Sequence, residues 1–157
     1  MGVSIWAAWE CLGAVRELTF ATHSHSPTYT GWGGTGRGIV RTEPVGPTIL
    51  IFDETGAWTR EGGRENRFSN VFRWTADPAG HFIRLEHLRF GADQPVYLFD
   101  LVPTADHILE SADPHVCQAD LYAARMEYGA SAVYLNWTIT GPKKDERISY
   151  TYKTTQL

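Results

Sequence analysis

The chain has 157 residues and a formal net charge of -4 at pH 7, with 14 Lys and Arg against 18 Asp and Glu. That length suits one domain with a buried core. The basic residues form no patch, so nucleic-acid binding has no electrostatic support. No apolar run is long enough to span a bilayer. We therefore expect a single domain over residues 1–157 with neither a nucleic-acid nor a membrane partner.

The two cysteines, Cys11 and Cys117, lie far apart, and neither belongs to a Cys-x-x-Cys pair. Two reduced thiols in a cytoplasmic protein are therefore expected rather than a disulfide. The N-terminal residues carry no cationic segment ahead of an apolar one, so the sequence predicts no signal peptide.

The first predicted element is a short helix. Ile5, Trp6, Trp9 and Leu12 have the spacing of one helix face, and such a helix could cover one end of a barrel. After it, the alternation typical of β-strands takes over. The predicted strands are residues 16–20, 39–41, 48–52 with an extension over 57–59 after a bend at Gly56, 68–74, 82–90, 96–102, 116–126, 132–140 and 147–153.

Turn residues separate these strands at Asp77-Pro78-Ala79-Gly80, Gly91-Ala92-Asp93 and Gly141-Pro142. About eight to ten short strands at even spacing are typical of a sandwich or a barrel. Several strands carry large side chains on both faces with polar groups between them, which the packed interior of a sandwich would tolerate poorly. We therefore predict an all-β fold, a closed or nearly closed antiparallel up-and-down barrel of about eight to ten strands with a short N-terminal helix.

The segment Gly31-Trp32-Gly33-Gly34-Thr35-Gly36 fits the spacing G-x-G-x-x-G. A dinucleotide site needs a strand before these glycines and a helix after them. Here a predicted strand follows, so we expect a flexible start of that strand. The alternative is that the glycines let the backbone approach a ligand at the mouth of a barrel.

His23 and His25 would share one face of a strand and could both ligate a metal ion. A metal site needs three or four ligands with a supporting shell. No third ligand is identifiable nearby, so we predict no metal site.

The most polar strand region contains His115, Cys117, Asp120 and Tyr122. In a regular strand the first two share one face and the last two share the other, and a bulge near residues 118–119 would bring all four to one side. Such a group could act as a Cys-His-Asp nucleophile. It could equally be a structural cluster with the cysteine as core filler, or bind polar ligand atoms. Spacing alone does not decide between these.

Asp100 lies inside an apolar strand and needs a cation or several donors if it is buried. Arg16, Arg73 and Arg84 are available partners. We expect a structural ion pair, and the alternative is an anchor for a cationic ligand. Trp137 shares one apolar face with neighbouring residues of its strand, so core packing is its default role.

Four parts of the sequence carry a family resemblance. They are His115-x-Cys117-x-x-Asp120-x-Tyr122, Trp137 with Gly141-Pro142-Lys143-Lys144-Asp145, Gly33-x-x-Gly36, and Phe72-Arg73-Trp74. Together they resemble an uncharacterised bacterial family of small proteins similar to the lipocalin and fatty-acid-binding barrels of the calycin type. The resemblance implies an up-and-down barrel closed at one end by the N-terminal helix, and it implies no activity and no cofactor. The Gly-x-Trp start of lipocalins and a His near the C-terminus are both absent, so haem binding is not expected.

The sequence favours a protein without catalytic residues that binds a small, partly apolar molecule inside the barrel. Arg73 is expected to hold an anionic head group of that molecule. One alternative is a small enzyme that uses His115, Cys117 and Asp120, and another is a filled barrel that acts in protein assembly. A homodimer is left open. The candidate ligand-binding residues are Arg73, His87, His115, Cys117, Asp120, Tyr122 and, as a wall, Trp137.

Overall fold

A meander of antiparallel strands follows one N-terminal helix, α1 (Trp6–Gly13). A computed structural model describes residues 4–24, 33–60, 62–112, 120–142 and 145–155, and the backbone alone of residues 115–117. The strands are β1 (Val15–Ser24), β2 (Gly34–Val45), β3 (Ile49–Arg60), β4 (Glu65–Ala76), β5 (Ile83–His87), β6 (Val96–Ala105), β7 (Ile108–Ser111), β8 (His115–Cys117), β9 (Asp120–Tyr128), β10 (Ala132–Thr140) and β11 (Asp145–Thr154).

The sheet closes on itself because β11 pairs with β1 and β10 pairs with both β9 and β11. Ten strands form this ring in chain order, with β7 joined directly to β9. The eleventh strand, β8, pairs only with β9. Since β10 occupies one edge of β9, β7 and β8 share the other edge as two pieces of one interrupted strand. The predicted closed up-and-down barrel is therefore confirmed.

Helix α1 covers one end of the barrel. Ile5, Ala8 and Leu12 are buried and Trp9 packs against the core, whereas Trp6, which was predicted on the same face, is 39 % exposed. Two further contacts fix its position at the turns of this end. The Cys11 thiol donates to the carbonyl oxygen of Gly129 at 3.6 Å, between β9 and β10, and the Trp6 indole lies beside Gly80, between β4 and β5.

Strand alternation divides each strand into an inner and an outer face. On β4, for example, Phe72, Trp74 and Ala76 are buried while the residues between them are half-buried. Twelve inner-face side chains form the centre of the core, and each is almost completely buried. They are Leu18, Leu50, Phe52, Trp74, Leu85, Phe99, Leu101, Leu109, Met126, Val133, Leu135 and Tyr152.

Three glycines, Gly36, Gly38 and Gly56, stand on the inner face where β2 and β3 bend. Gly38 is directly opposite Gly56 in the register, and a Cβ on either one would strike the backbone of the opposite strand. A Cβ on Gly36 would strike the ring of Phe20. With no side chains here, the rings of Phe20 on β1 and Phe68 on β4 meet edge to face at 5.3 Å. The glycines therefore lie within long strands, and β2 begins at Gly34 with no helix after it, as predicted.

Several predicted strands differ from the structure. β7 was not predicted, β2 extends well beyond the predicted 39–41, and β3 continues through Gly56 without a break. The strand predicted over 82–90 ends at His87, because Leu88 to Phe90 enter a turn in which Gly91 has φ +95°. The strand predicted over 116–126 is divided between β8 and β9. After His87 a turn interrupts an apolar pattern that would otherwise continue as one strand.

Candidate functional site

The interior of the barrel is open to solvent at the end opposite α1. Inner-face residues near the helix are almost fully buried, whereas inner-face residues toward the other end are half-buried. We call this second half of the interior the cup. Its half-buried inner-face residues include Thr22, Trp58, Phe68, Asn70, His87, Tyr122 and Ile148.

A buried carboxyl lies at the floor of the cup. Glu54 on β3 is 0 % exposed and stands opposite half-buried Asn70 of β4. The Tyr152 hydroxyl, reaching across the interior from β11, donates to Glu54 Oε2 at 2.7 Å. Glu54 Oε1 has no hydrogen-bond partner among the residues that the structure describes. A buried polar atom of this kind needs an explanation, because nearly all such atoms in folded proteins are paired.

Burial raises the pKa of Glu54 to about 8, and Asp53 adds to this, while the hydrogen bond from Tyr152 acts in the opposite direction. The carboxyl is therefore mostly protonated at pH 7. Burial also raises the pKa of Tyr150 and of Tyr152 above the ordinary tyrosine value, so both phenols remain neutral. The floor is thus an uncharged, hydrogen-bonding surface when nothing charged is nearby.

Stacked aromatic rings surround this carboxyl. Tyr152 and Tyr150 are parallel within 6° at 5.3 Å, and Tyr150 stacks on Trp137 at 5.9 Å. Phe72 and Phe99 place their rings at steep angles to Trp137. Trp137 is 8 % exposed, and its Nε1 has no hydrogen-bond partner within the described part of the chain. Trp137 is therefore a wall of the interior with an unused donor.

His87 faces the cup from β5. Its imidazole stacks on Phe72 at 4.7 Å with an interplanar angle of 23°. Burial lowers the pKa of His87, and Arg89 lowers it further, so the neutral imidazole is favoured. The structure therefore brings His87 and Trp137 to the same part of the interior, as the sequence suggested.

Arg73 does not belong to this group. It lies between Phe72 and Trp74, which both point inward, so alternation places Arg73 on the outer face of β4. There its Nε donates to Glu86 Oε1 at 3.0 Å. The prediction that Arg73 holds an anionic head group inside the barrel is therefore wrong, because its side chain lies on the outer face.

Replacing Arg73 with Ala is expected to lower the free energy of unfolding by about 1 kcal/mol, since a half-buried outer-face ion pair contributes little. Binding of any molecule in the cup should not change. Urea denaturation and ligand titration of Arg73→Ala measure the two quantities. Glu86→Ala is the matched control. If Arg73→Ala lost binding and Glu86→Ala did not, Arg73 would be a ligand-binding residue after all.

Asp100 also lies on the outer face. Arg84 Nε donates to Asp100 Oδ1 at 2.8 Å and Arg84 Nη2 donates to Oδ2 at 3.2 Å. The guanidinium also lies over the rings of Phe82 and Tyr97. The predicted structural ion pair is confirmed with Arg84 as the partner, and this carboxylate is not an interior anchor.

The C-terminal polar residues meet through a hairpin. In the register of β8 and β9, His115 is opposite Tyr122 and Cys117 is opposite Asp120. Residues paired in this way are neighbours on one face of a sheet, so no bulge is needed to bring the four positions together. The side chains of His115 and Cys117 lie outside the described residues. The nucleophile hypothesis therefore stays a prediction.

Two depressions lie on the outer face of β1 to β4, with volumes of about 970 Å³ and 600 Å³. They share Thr19, Arg37, Ala57 and Glu65 in their linings, and Ile39 lines the larger one. Both are open to solvent and face away from the cup. The two depressions are therefore separate from the cup.

The sequence predicted no metal site at His23 and His25, and the structure describes only one of these two residues. His23 is exposed near the end of β1, and His25 lies outside the described residues. In the described part of the chain, no three His, Cys, Asp or Glu side chains converge as a metal site requires. None of the described helices is both long enough and apolar enough to cross a membrane.

Sequence reasoning missed Glu54 and its two tyrosine neighbours. One signal was present: Glu54 follows Leu50 and Phe52 at alternate positions, which puts all three on one face of β3. The predicted strand stopped at Phe52 because Gly56 looked like a bend. The partner residue Tyr152 is 98 positions away, so nothing local pairs the two.

The fold and site define a closed up-and-down β-barrel with a helix across one end and an aromatic cup at the other. By sequence, residues 20–154 match the profile of a family of unknown function, DUF6314, and the chain belongs to that family. The barrel expected from the family resemblance is thus confirmed, whereas a lipocalin relationship and a bacterial source stay predictions.

Solved structures of similar fold include one described as EF1p2_mFAP2b bound to DFHBI. It has a TM-score of 0.51 and 12 % sequence identity, with 97 % of this chain and 100 % of that chain covered. Another is a redesigned β-barrel, mFAP1, bound to DFHBI, with a TM-score of 0.44 and 12 % identity over 91 % of this chain and 96 % of the other. No curated protein sequence matches the chain. At this identity the similarity establishes the fold alone.

Proposed function

We propose that the protein binds a small, partly apolar molecule in the cup. The observation that carries the proposal is the difference in exposure along the inner face, from nearly complete burial at the helix end to half-burial at the other end. The half-buried side chains show that solvent reaches this end of the interior, which the entry of a small molecule requires. Aromatic rings with a few unused polar groups are also the usual lining of small-molecule sites.

The polar groups that support this proposal stand on the inner face. His87 is half-buried there, Trp137 has an unpaired donor, and Asp120 and Tyr122 follow the alternation of buried Ala124 and Met126. EF1p2_mFAP2b, which has a similar fold, was described bound to DFHBI, so a barrel of this shape is compatible with holding a small molecule. The proposal names no reaction.

A matched pair of substitutions on β4 tests which surface binds. Asn70 lies on the inner face and Ser69 lies beside it on the outer face, where it lines the larger depression. Asn70→Trp is expected to fill the cup and weaken binding of the fluorescent probe N-phenyl-1-naphthylamine at least about tenfold. Ser69→Trp should leave the affinity unchanged. Probe emission on titration gives both values, and thermal melting verifies folding.

The reverse result would contradict the proposal. If Ser69→Trp abolished probe binding and Asn70→Trp did not, the outer depression would be the binding surface. If the unmodified protein bound no apolar or aromatic probe at all, the barrel would be a filled scaffold, and a role in protein assembly would become the better account.

A further inference from the structure

Most of the described basic side chains of this barrel lie on its outer face or are exposed at its ends. Every Arg and Lys that the structure describes is exposed, except Arg73 and Arg84, which are half-buried on the outer face and paired with carboxylates. On the inner face, the basic side chain that the structure describes is that of Arg60, which is exposed at the end of β3 and alternates with Glu54 and Trp58. Deeper in the interior the described charged side chains are acidic, and burying an unpaired anion there is costly.

Three acids are placed on the inner face. Glu54 is at the floor of the cup, and Asp120 and Glu146 are half-buried nearer its mouth. Asp120 shares its face of β9 with buried Met126, and Glu146 is opposite buried Ile139 of β10. Carboxylates at the mouth of a low-dielectric cleft attract cations toward it.

The unpaired oxygen of Glu54 is the second, independent sign of a ligand. This side chain is completely buried, yet among the described residues only its Oε2 has a partner, and that partner is a donor. Asn70, directly opposite on β4, is half-buried, so Glu54 adjoins the part of the interior that solvent reaches. A donor group entering the cup would find Oε1 available at its floor.

The walls around the floor also suit a cation. The rings of Trp137, Tyr150 and Phe72 are grouped there, with Trp137 and Tyr150 stacked. Aromatic faces attract ammonium groups through their quadrupoles, and more strongly when water is excluded. The same rings provide the apolar contact area for the body of the molecule.

We propose, on the basis of the interior site proposed above, that the natural ligand class is an organic amine with an apolar body, whose ammonium group binds Glu54 at the floor of the cup. Binding would then transfer a proton to solvent. The protonated Glu54 carboxyl and the ammonium ion form a carboxylate–ammonium pair, and the carboxyl proton leaves, so charge and atoms balance. The groups that face Glu54 are Tyr152 and Tyr150, with Asp53 on its own strand, and both phenols stay protonated.

Three probes of one shape and different charge test the proposal. They are 1-naphthylmethylamine, which is protonated at neutral pH, 1-naphthalenemethanol, which is neutral, and 1-naphthoate, which is anionic. The amine is expected to bind at least about tenfold more tightly than the alcohol, and the carboxylate more weakly than either. Calorimetry at pH 7 in two buffers of different ionisation enthalpy should show close to one proton released on binding the amine and none on binding the alcohol.

The variant Glu54→Gln tests whether the amine binds more tightly because of the Glu54 carboxyl or because the aromatic rings of the cup favour any cation. Gln is nearly the same size and can still accept from Tyr152, so the barrel should fold. In this variant the alcohol should bind as before, while the advantage of the amine and its proton release should both disappear. Tyr152→Phe is a second variant that keeps the carboxyl, and it should retain proton release.

Different results would contradict the amine proposal and the proposed interior site. If the alcohol binds and the amine binds no more tightly, or if Glu54→Gln keeps the advantage of the amine, the amine proposal is overturned and the interior site remains. Tightest binding by 1-naphthoate would also overturn it. If none of the three probes binds, it is the proposed interior site that fails.

Discussion

Glu54→Gln is expected to make the protein more stable at alkaline pH and to flatten the dependence of its stability on pH. Below its ordinary pKa of 4.5, Glu54 is protonated in both the folded and the unfolded chain. Between 4.5 and about 8 the unfolded chain loses this proton while the folded chain keeps it, so the free energy of unfolding falls as pH rises. A pKa change from 4.5 to about 8 corresponds to about 5 kcal/mol.

The measurement is urea denaturation of both proteins at pH 5 and pH 9. The difference in unfolding free energy between Glu54→Gln and the unmodified protein should grow in favour of the variant by about 4 kcal/mol across this range. Other titrating groups are common to both proteins and cancel in the comparison. Glu65→Gln, at an exposed position on β4, is the control for removing one carboxylate. A difference that stayed constant with pH would show that Glu54 is not protonated in the folded barrel.

Gly56→Ala should be the most damaging of the simple glycine substitutions. Its Cβ would collide with the carbonyl oxygen of Arg37 and with the Cα of Gly38, which are backbone atoms and cannot rotate away. Overpacking against fixed atoms costs about 3 kcal/mol. Gly36→Ala meets the end of the Phe20 ring, which can move, so its cost should be about 1 kcal/mol.

Gly129→Ala is the matched control, because no atom lies within 4 Å of its added Cβ. Unfolding free energies should therefore decrease in the order Gly129→Ala, Gly36→Ala, Gly56→Ala. Expression level and melting temperature give the order even if Gly56→Ala is too unstable for denaturant titration. Equal stability of all three variants would rule out a tight bend at the Gly38–Gly56 pair.

Local sequence patterns were sufficient to predict the fold class. Strand alternation and turn residues are properties of short segments, and the strand predicted over 132–140 matches β10 at both ends. The helix was similarly predicted from local spacing, and of its predicted face Ile5 and Leu12 are buried while Trp6 is exposed. Glycines misled the strand lengths, since Gly38 and Gly56 permit a tight bend without ending a strand.

The site was harder to predict because it depends on which face of each strand points inward. Arg73 could be assigned to the outer face only once Phe72 and Trp74 were known to be buried. Glu54 depends on Tyr152 from the far end of the chain, and that contact exists only after the ring has closed. His87 and Trp137 each follow buried residues at alternate positions of their own strands, which places both on the inner face, and their role in binding stays a prediction.

The strands that close the barrel are paired over very different lengths. β7 pairs with β9 only over Ile108–Glu110, whereas β2 and β3 pair along their whole lengths. Segments with few pairing bonds separate at much lower free energy than the rest of a protein. Amides of β7 are therefore expected to exchange hydrogen faster than those of β2 and β3, which would make the β7–β9 contact the part of the wall that opens at the lowest free energy.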